Sequence, residues 1–346
     1  MNNSQITDTQ NAVPAGAPTE EVAFEARSLT PGRMILKRFF RSKLSMFGVV
    51  TLCVLFAVSF FGPFFTGWGE GEVDRSGKVG NVNTRTFVGE DGKTYNYYDV
   101  EMQEVTRYAP VSSEHLLGTD EEGRDVLTRL MCGGRVSLTI GFVVVLVETL
   151  IGVLLGGLSG YFGGWVDNVI MRVVDVLTCL PSLPVLIIVG ALLDSWNVSA
   201  DLRIYYLMFA LTLIGWTGIA RLVRGQILFL REQEFMLAEE SLGMPVRRKI
   251  FRHLVPNVMP QLIVSMTLGL GGVILMESTL SFLGLGMPYE KAAWGSMISS
   301  ATNTPLIMRD YPNLWVPAGI LIVLAVLSFN FIGDGLRDAF DPKMKR

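Results

Sequence analysis

Histidine and cysteine are scarce in this chain. Two histidines, His115 and His253, and three cysteines, Cys53, Cys132 and Cys179, are spread over 346 residues. Cysteines so few and so scattered exclude a disulfide scaffold or a zinc site. The histidines lie too far apart in sequence to offer metal-ligand spacing, so catalysis by His or Cys is poorly supplied. Charge is short as well: 18% of the residues are Asp, Glu, Lys or Arg, against about 25% in an ordinary soluble domain. No phosphate-binding loop is present. DGKT at 91–94 imitates the end of one, but Phe87 stands where the pattern needs a glycine five residues before Gly92. The glycines at 269–272 and 284–286 lack the third member of a dinucleotide fingerprint. The first thirty residues are polar and lean acidic, without the basic start and apolar stretch of a signal peptide. They read as a disordered cytoplasmic tail.

What the chain does have is apolar length. Half of its residues are hydrophobic and the mean hydropathy is +0.41. A membrane helix needs about 20 largely apolar residues, and six runs meet or approach that: 44–65, 136–159, 173–193, 205–220, 258–276 and 314–332. A soluble core has no room for six. The expected fold is an all-α polytopic membrane protein with six transmembrane helices, a long cytoplasmic loop and an extended extracytoplasmic loop. Lys and Arg set the orientation. With the N-terminus inside, eighteen fall on inner segments and eleven outside, and eight of the eleven sit in one loop of about seventy residues. Loops beyond about 60 residues translocate largely regardless of charge, so both termini are expected in the cytoplasm of a cell-membrane protein. The division that follows is a cytoplasmic tail over 1–43, a first span over 44–65 and an outer insertion with an interfacial helix over 66–135. A membrane core over 136–334 and a C-terminal tail over 335–346 complete it.

Within the outer stretch, 66–112 alternates polar residues with β-formers around Asp91-Gly92, which predicts a small hairpin. Residues 121–135 place Val126, Leu127, Leu130 and Met131 on one face, as in a helix lying along the outer interface. The inner loop 221–257 reads RLVRGQILFLREQEFMLAEESLGMPVRRKIFRHLVPN. A short helix is expected over 233–242, with Phe235, Met236 and Leu237 as its apolar cluster and Glu239 and Glu240 polar. Gly243 ends it in the left-handed conformation. Pro245 fits the first turn of a second, basic helix, which Pro256 closes before the fifth span. Physics alone leaves two readings open: a rigid element that transmits force to a partner, or a basic helix on anionic headgroups.

LAEESLG, then nine residues, then HLVP resembles the coupling-loop motif of ABC importer permeases, EAA-x3-G-x9-I-x-L-P. Ala238 falls on its first alanine, Gly243 on its glycine and Pro256 on its final proline. The chain departs from it at Leu237, Glu239, His253 and Val255. HLLGTDEEGRD at 115–125, LSFLGLG at 280–286 followed by Trp294-Gly295, and LSFNFIGDGLRDAFDP at 327–342 are similar to the C-type permease subunit of the dipeptide, oligopeptide and nickel import group. Four motifs in order cover roughly residues 30–346, and 66–112 looks like an insertion.

The resemblance implies a non-catalytic subunit without a cofactor of its own, ATP and Mg being bound by two cytoplasmic ATPase subunits. It further implies a second, homologous permease subunit, an extracytoplasmic solute-binding protein and no nucleic acid. The coupling residues it designates are Phe235, Met236, Leu237, Ala238, Glu239, Glu240, Gly243 and Pro256. The cargo expected is a dipeptide or oligopeptide, with nickel or another small solute as the alternative. An ion-gradient-driven secondary transporter would instead need several intramembrane acids or broken helices, and an integral-membrane enzyme a polar cluster near one interface.

Two carboxylates interrupt the apolar runs, Glu148 and Glu277. Structural roles are expected for them, Glu277 as the cap of a helix starting near Ser278. Gly152, Gly156 and Gly160 at GxxxG spacing, with Gly157, predict a helix seam, with a partner permease as one candidate for its other side. Asp167, Arg172 and Asp175 are expected to form ion pairs at the inner mouth.

Overall fold

The computed structural model describes residues 31–76, 84–98 and 105–341. The expected tail over 1–30 and the last residues, 342–346, lie outside them. A basic helix, α1 (Pro31–Arg41), leads into α2 (Lys43–Phe61). Between them Ser42 leaves the helical conformation, and its hydroxyl accepts the Ser45 N–H, an N-cap. A hairpin of β1 (Thr84–Val88) and β2 (Thr94–Tyr98) follows. DGKT forms its turn: Asp91 accepts the Lys93 N–H and the Tyr95 hydroxyl.

From residue 126 onward the chain is mainly helical. α3 (Val126–Phe162) is 37 residues long, about 55 Å at 1.5 Å per residue, so it outreaches a hydrocarbon layer of about 30 Å. α4 (Gly164–Cys179), α5 (Ser182–Ser195), α6 (Ala200–Arg231) and α7 (Glu234–Ser241) come next. A short α8 (Val246–Arg248) passes through a π-helical turn, Lys249–Leu254, into α9 (Val255–Phe282). α10 (Trp294–Thr302), α11 (Pro305–Asp310) and α12 (Pro312–Phe340) complete the chain.

Among the described residues five helical stretches are long and apolar enough to cross a membrane, and α4 with α5 makes a sixth only as a pair bent by 79°. The third span, expected as one helix over 173–193, is therefore broken. Pro181 is the cause. A residue before proline is pushed out of the helical region, and Leu180 sits at φ −76°, ψ 127°. The bent pair nevertheless crosses. Gly152, Gly156 and Gly160 of α3 meet Ile219, Ala220 and Ile227 of α6 in rising order, so α3 and α6 run parallel, and α4–α5 must return the chain between them. Arg38 of α1 donates to the Asp341 carbonyl beyond α12, which places the two described ends on one side, as an even number of crossings requires.

The glycine seam lies inside the chain. A Cβ on Gly156 would stand 2.4 Å from the Ala220 carbonyl oxygen, so the two helices touch backbone to backbone. The seam's partner is α6 and not a second permease. Larger side chains fill the rest. Leu138, Val145, Ile274, Trp294, Ala318, Ala325 and Phe329 join α3, α9, α10 and α12 in the main core. Leu146, Leu150 and Leu154 of α3 and Ile320 and Val323 of α12 point outward uncovered, as suits lipid-facing positions.

The interfacial helix expected over 121–135 does not form. Residues 121–125 are non-helical, Asp125 caps α3 by accepting the Thr128 N–H, and 126–135 is the first part of that same helix. No proline or other break separates Arg135 from Val136. Val126 and Leu130 are buried in the core and do not face headgroups.

Candidate functional site

The candidate site is the turn between α6 and α9. α7 ends at Ser241, and Gly243 takes φ +67°. The Met244 N–H reaches back to the Glu239 carbonyl and the Leu242 N–H to that of Ala238. The first of these bonds is the six-to-one closure of a Schellman turn, which a side chain at Gly243 would strain. Pro245 is the N-cap of α8 and lies outside its first turn.

Pro256 does not close a helix. It lies in the first turn of α9, after the π turn, and the helical path from Val246 to Phe282 is continuous. In that path the N–H that Pro256 lacks is an interior one, and the π turn just before it is where the helix departs from the regular hydrogen-bond ladder. The second half of the loop is thus the beginning of the fifth span, and a displacement of 246–254 acts directly on that span.

The designated residues divide by face. Met236 is 4% exposed and packs among Ile219, Val223 and Ile227 of α6, Leu254 of the π turn and Val258 and Leu262 of α9. It belongs to the chain's own core, which corrects its expected place in an apolar plug. Glu239 is also buried; its carboxylate pairs with Nδ1 of His253 at 2.8 Å, so it is an internal strut and not a rim charge. Phe235, Leu237 and Leu242 are exposed, as is Ala238. Glu240 falls in α7, but its side chain lies outside the described residues. The exposed apolar face is therefore Phe235, Leu237 and Leu242. Leu242 could have been found in the sequence, since it lies five residues beyond Leu237 and next to the glycine.

Two ion pairs brace the same end. Arg224 of α6 holds Asp167 of α4 in a fork, Nε to Oδ1 at 2.5 Å and Nη2 to Oδ2 at 2.6 Å, while Ser159 adds a hydrogen bond to the same carboxylate. Arg221 meets Asp175 at 2.8 Å. Asp167 and Asp175 are paired as expected, but α6 supplies the cations: Arg172, expected to take part, is in no ion pair among the described residues.

At the opposite end the motif 115–125 folds against the segment after α9. Arg129, 1% exposed, donates to the Tyr289 carbonyl at 2.7 Å, lies over the Tyr289 ring and sits 3.4 Å from Asp120. The Tyr289 hydroxyl donates to Asp120. Burial pushes that hydroxyl well above its ordinary pKa, so it stays a donor. His115 is held between Asp125 at 2.9 Å and Asp74 at 3.4 Å, with the Trp68 ring against it. Tyr289 lies 160 or more residues from Arg129 and Asp120, and Asp74 and Trp68 lie in the insertion, which is why spacing did not reveal these partners. Glu277 caps nothing. It lies inside α9, and its carboxylate accepts the hydroxyls of Ser137 and Ser281.

Residues 152–346, which contain this turn and the helices it joins, match the family model described as binding-protein-dependent transport system inner membrane component. The chain belongs to that family. The N-terminal TM domain of oligopeptide transport permease C matches residues 30–77, which include α1 and α2. Three relatives cover nearly the whole chain. Oligopeptide transport system permease protein OppC of Bacillus subtilis is 34% identical over 328 residues, 94% of each chain. Dipeptide transport system permease protein DppC of the same organism is 37% identical over 311 residues, 90% of this chain and 85% of its own. OppC of Haemophilus influenzae is 32% identical over 324 residues, 94% of this chain and 92% of its own. This family member is an all-α polytopic membrane protein and a permease subunit of an ABC importer.

Proposed function

We propose that this permease subunit carries peptides, dipeptides or oligopeptides, across the cell membrane by alternating access, with both termini and the α7 turn in the cytoplasm. The single observation that carries the reading is the turn itself. It presents Phe235, Leu237 and Leu242 to the outside while its backbone is locked by Gly243 and runs unbroken into α9. The names of the relatives support peptide as cargo. ATP and Mg bind to two ATPase subunits on separate chains, a second homologous permease completes the path, and a solute-binding protein delivers cargo outside. Phe235 and Leu237, flanked by Ala238, enter an apolar groove of the ATPase. Met236, Glu239 and His253 tie the entering helix to α6 and α9, and Pro256 marks where α9 takes over the motion. Coupling needs contacts that differ between two states. A turn fastened to two spans meets that need better than a freely solvated loop.

The test is Gly243→Leu in the reconstituted importer. A side chain at φ +67° costs about 1–2 kcal/mol and opens the turn. Uptake is expected to fall about tenfold relative to ATP hydrolysis, a change of about 1.4 kcal/mol in the coupled step. Hydrolysis and uptake that stay in their wild-type ratio would remove the turn from the mechanism.

A further inference from the structure

We infer that Glu148 is a cargo-binding residue, holding the ammonium group of a peptide in transit between the helices. The inference deepens the peptide reading above and rests on it.

Glu148 stands in the middle of α3, 7% exposed, and among the described residues it has no hydrogen-bond or ion-pair partner. Glu277 shows what a structural carboxylate looks like here: fully enclosed and supplied with two serine hydroxyls. Glu148 has been given a space instead. Its carboxylate faces a cleft between α3, α5, α6 and α9, whose polar wall is Glu148 and Ser182 and whose apolar wall is Leu186, Val273 and Met276. The chain has made room on purpose-shaped backbone. A Cβ on Gly215 would lie 1.7 Å from a Glu148 carboxylate oxygen, whereas one on Gly272 would meet nothing within 4 Å. Gly272 is exposed, so the cleft opens there.

An unpaired carboxylate in an apolar surrounding is costly and by default marks a function. Its charge selects a cation. A divalent metal would ask for several protein oxygens, and the cleft offers one carboxylate and one hydroxyl. No group of three or more His, Cys, Asp or Glu that could hold a metal ion occurs among the described residues. A proton relay would need a second acid within reach, and the other membrane acid, Glu277, is engaged with serines. An ammonium group, with three donors, is satisfied by one carboxylate, the Ser182 hydroxyl and water. The bare apolar wall beside it suits side chains of any kind, as carriage of varied peptides requires.

The assembled importer, reconstituted in vesicles with its binding protein, tests this with trialanine and N-acetyl-trialanine. The ratio of their KM values is compared between the wild type and Glu148→Gln, so the preference of the binding protein cancels. Loss of a charge-assisted hydrogen bond should narrow the ratio about tenfold in the variant. An unchanged ratio overturns the proposal. A second measurement needs no variant: labelling of Glu148 in the wild-type complex by a hydrophobic carbodiimide, read by mass spectrometry. Protection by millimolar trialanine but not by its acetylated form supports the assignment; equal protection by both, by neither, or by Ni2+ alone overturns it. A wild-type complex that takes up neither peptide defeats the peptide reading itself, and this one with it.

Discussion

The two ends of the molecule are fastened by different means. At the hairpin end, buried charged and polar groups are shared among several segments: Arg129 with Asp120 and Tyr289, His115 with Asp74 and Asp125. Each of these groups is desolvated and has more than one partner, so the segments cannot shift singly without stranding a charge. At the α7 end the two ion pairs join α4 to α6 and leave α7 itself held by one flexible side chain, Met236, in an apolar cluster and one polar contact, Glu239 with His253 of the π turn. Apolar contacts slide at low cost, and a helix already carrying a π turn can change register there. The comparison teaches that the hairpin end is built to hold and the α7 end to move.

Arg129→Ala should break that contrast most severely. Removing one partner of a buried, hydrogen-bonded ion pair typically costs about 3–5 kcal/mol, because Asp120 and the Tyr289 carbonyl lose their donor. A large fall in the thermal midpoint of the purified complex is expected, with partial recovery in Arg129→Lys. A midpoint within a degree or two of wild type would show that the hairpin end is not held by this residue. Gly156→Ala comes next. Its added methyl meets the Ala220 carbonyl at 2.4 Å, and overpacking of this kind costs about 1–3 kcal/mol. Gly157→Ala is the control, since its methyl would meet only Ile227 at 3.8 Å. If both variants melt alike, the seam is looser than the contact distances say.

How much of this was legible depended on the range of the interaction. The helices were readable because apolar length is a local property, as was Gly243, because a left-handed residue after a helix is announced by glycine. The hairpin around Asp91-Gly92 was readable for the same reason. The break at Pro181 was overlooked inside an apolar run, though the proline is in plain view and its effect on Leu180 is strictly local. The face of Met236 could not be read from an eight-residue helix, where Phe235, Met236 and Leu237 are equally apolar. Only the positions of α6 and α9 decide which one turns inward. The grip of Arg129 on Tyr289, 160 residues away, had no sequence signal beyond an arginine following an acid-rich turn. Glu148 and Glu277 looked alike as lone acids, and what separates them is two serine hydroxyls beside one and open space beside the other.

The α7 end sharpens the comparison through a pair of adjacent residues. Met236→Ala removes a buried side chain, a change that costs about 2–5 kcal/mol in a packed core and less where the site can collapse. Hydrogen exchange over 232–244 should quicken, and the ATPase should still co-purify. Leu237→Ala, at a residue 56% exposed, should leave exchange unchanged and weaken ATPase retention. Were Met236→Ala the one that loses the ATPase while exchange stays at the wild-type rate, the inward assignment of Met236 would be wrong.

The smallest effect expected is one of pH at the hairpin end. Burial raises the pKa of Asp74, but hydrogen bonds, foremost the Ser76 N–H at 2.8 Å, outweigh it and leave the carboxyl below its ordinary value. A carboxylate whose folded pKa is depressed stabilises the fold above its unfolded pKa, about 3.9, and that contribution is lost as pH falls through the folded value. Above pH 5, therefore, the midpoint of the wild-type complex should not depend on Asp74 ionisation, and only below about 4 should the Asp74 share of the stability disappear. Asp74→Asn should be less stable than wild type at neutral pH, with the gap closing in acid. A gap that widens as the pH falls would mean that Asp74 is tuned in the opposite direction, with burial outweighing the hydrogen bonds from Ser76, Thr106 and His115.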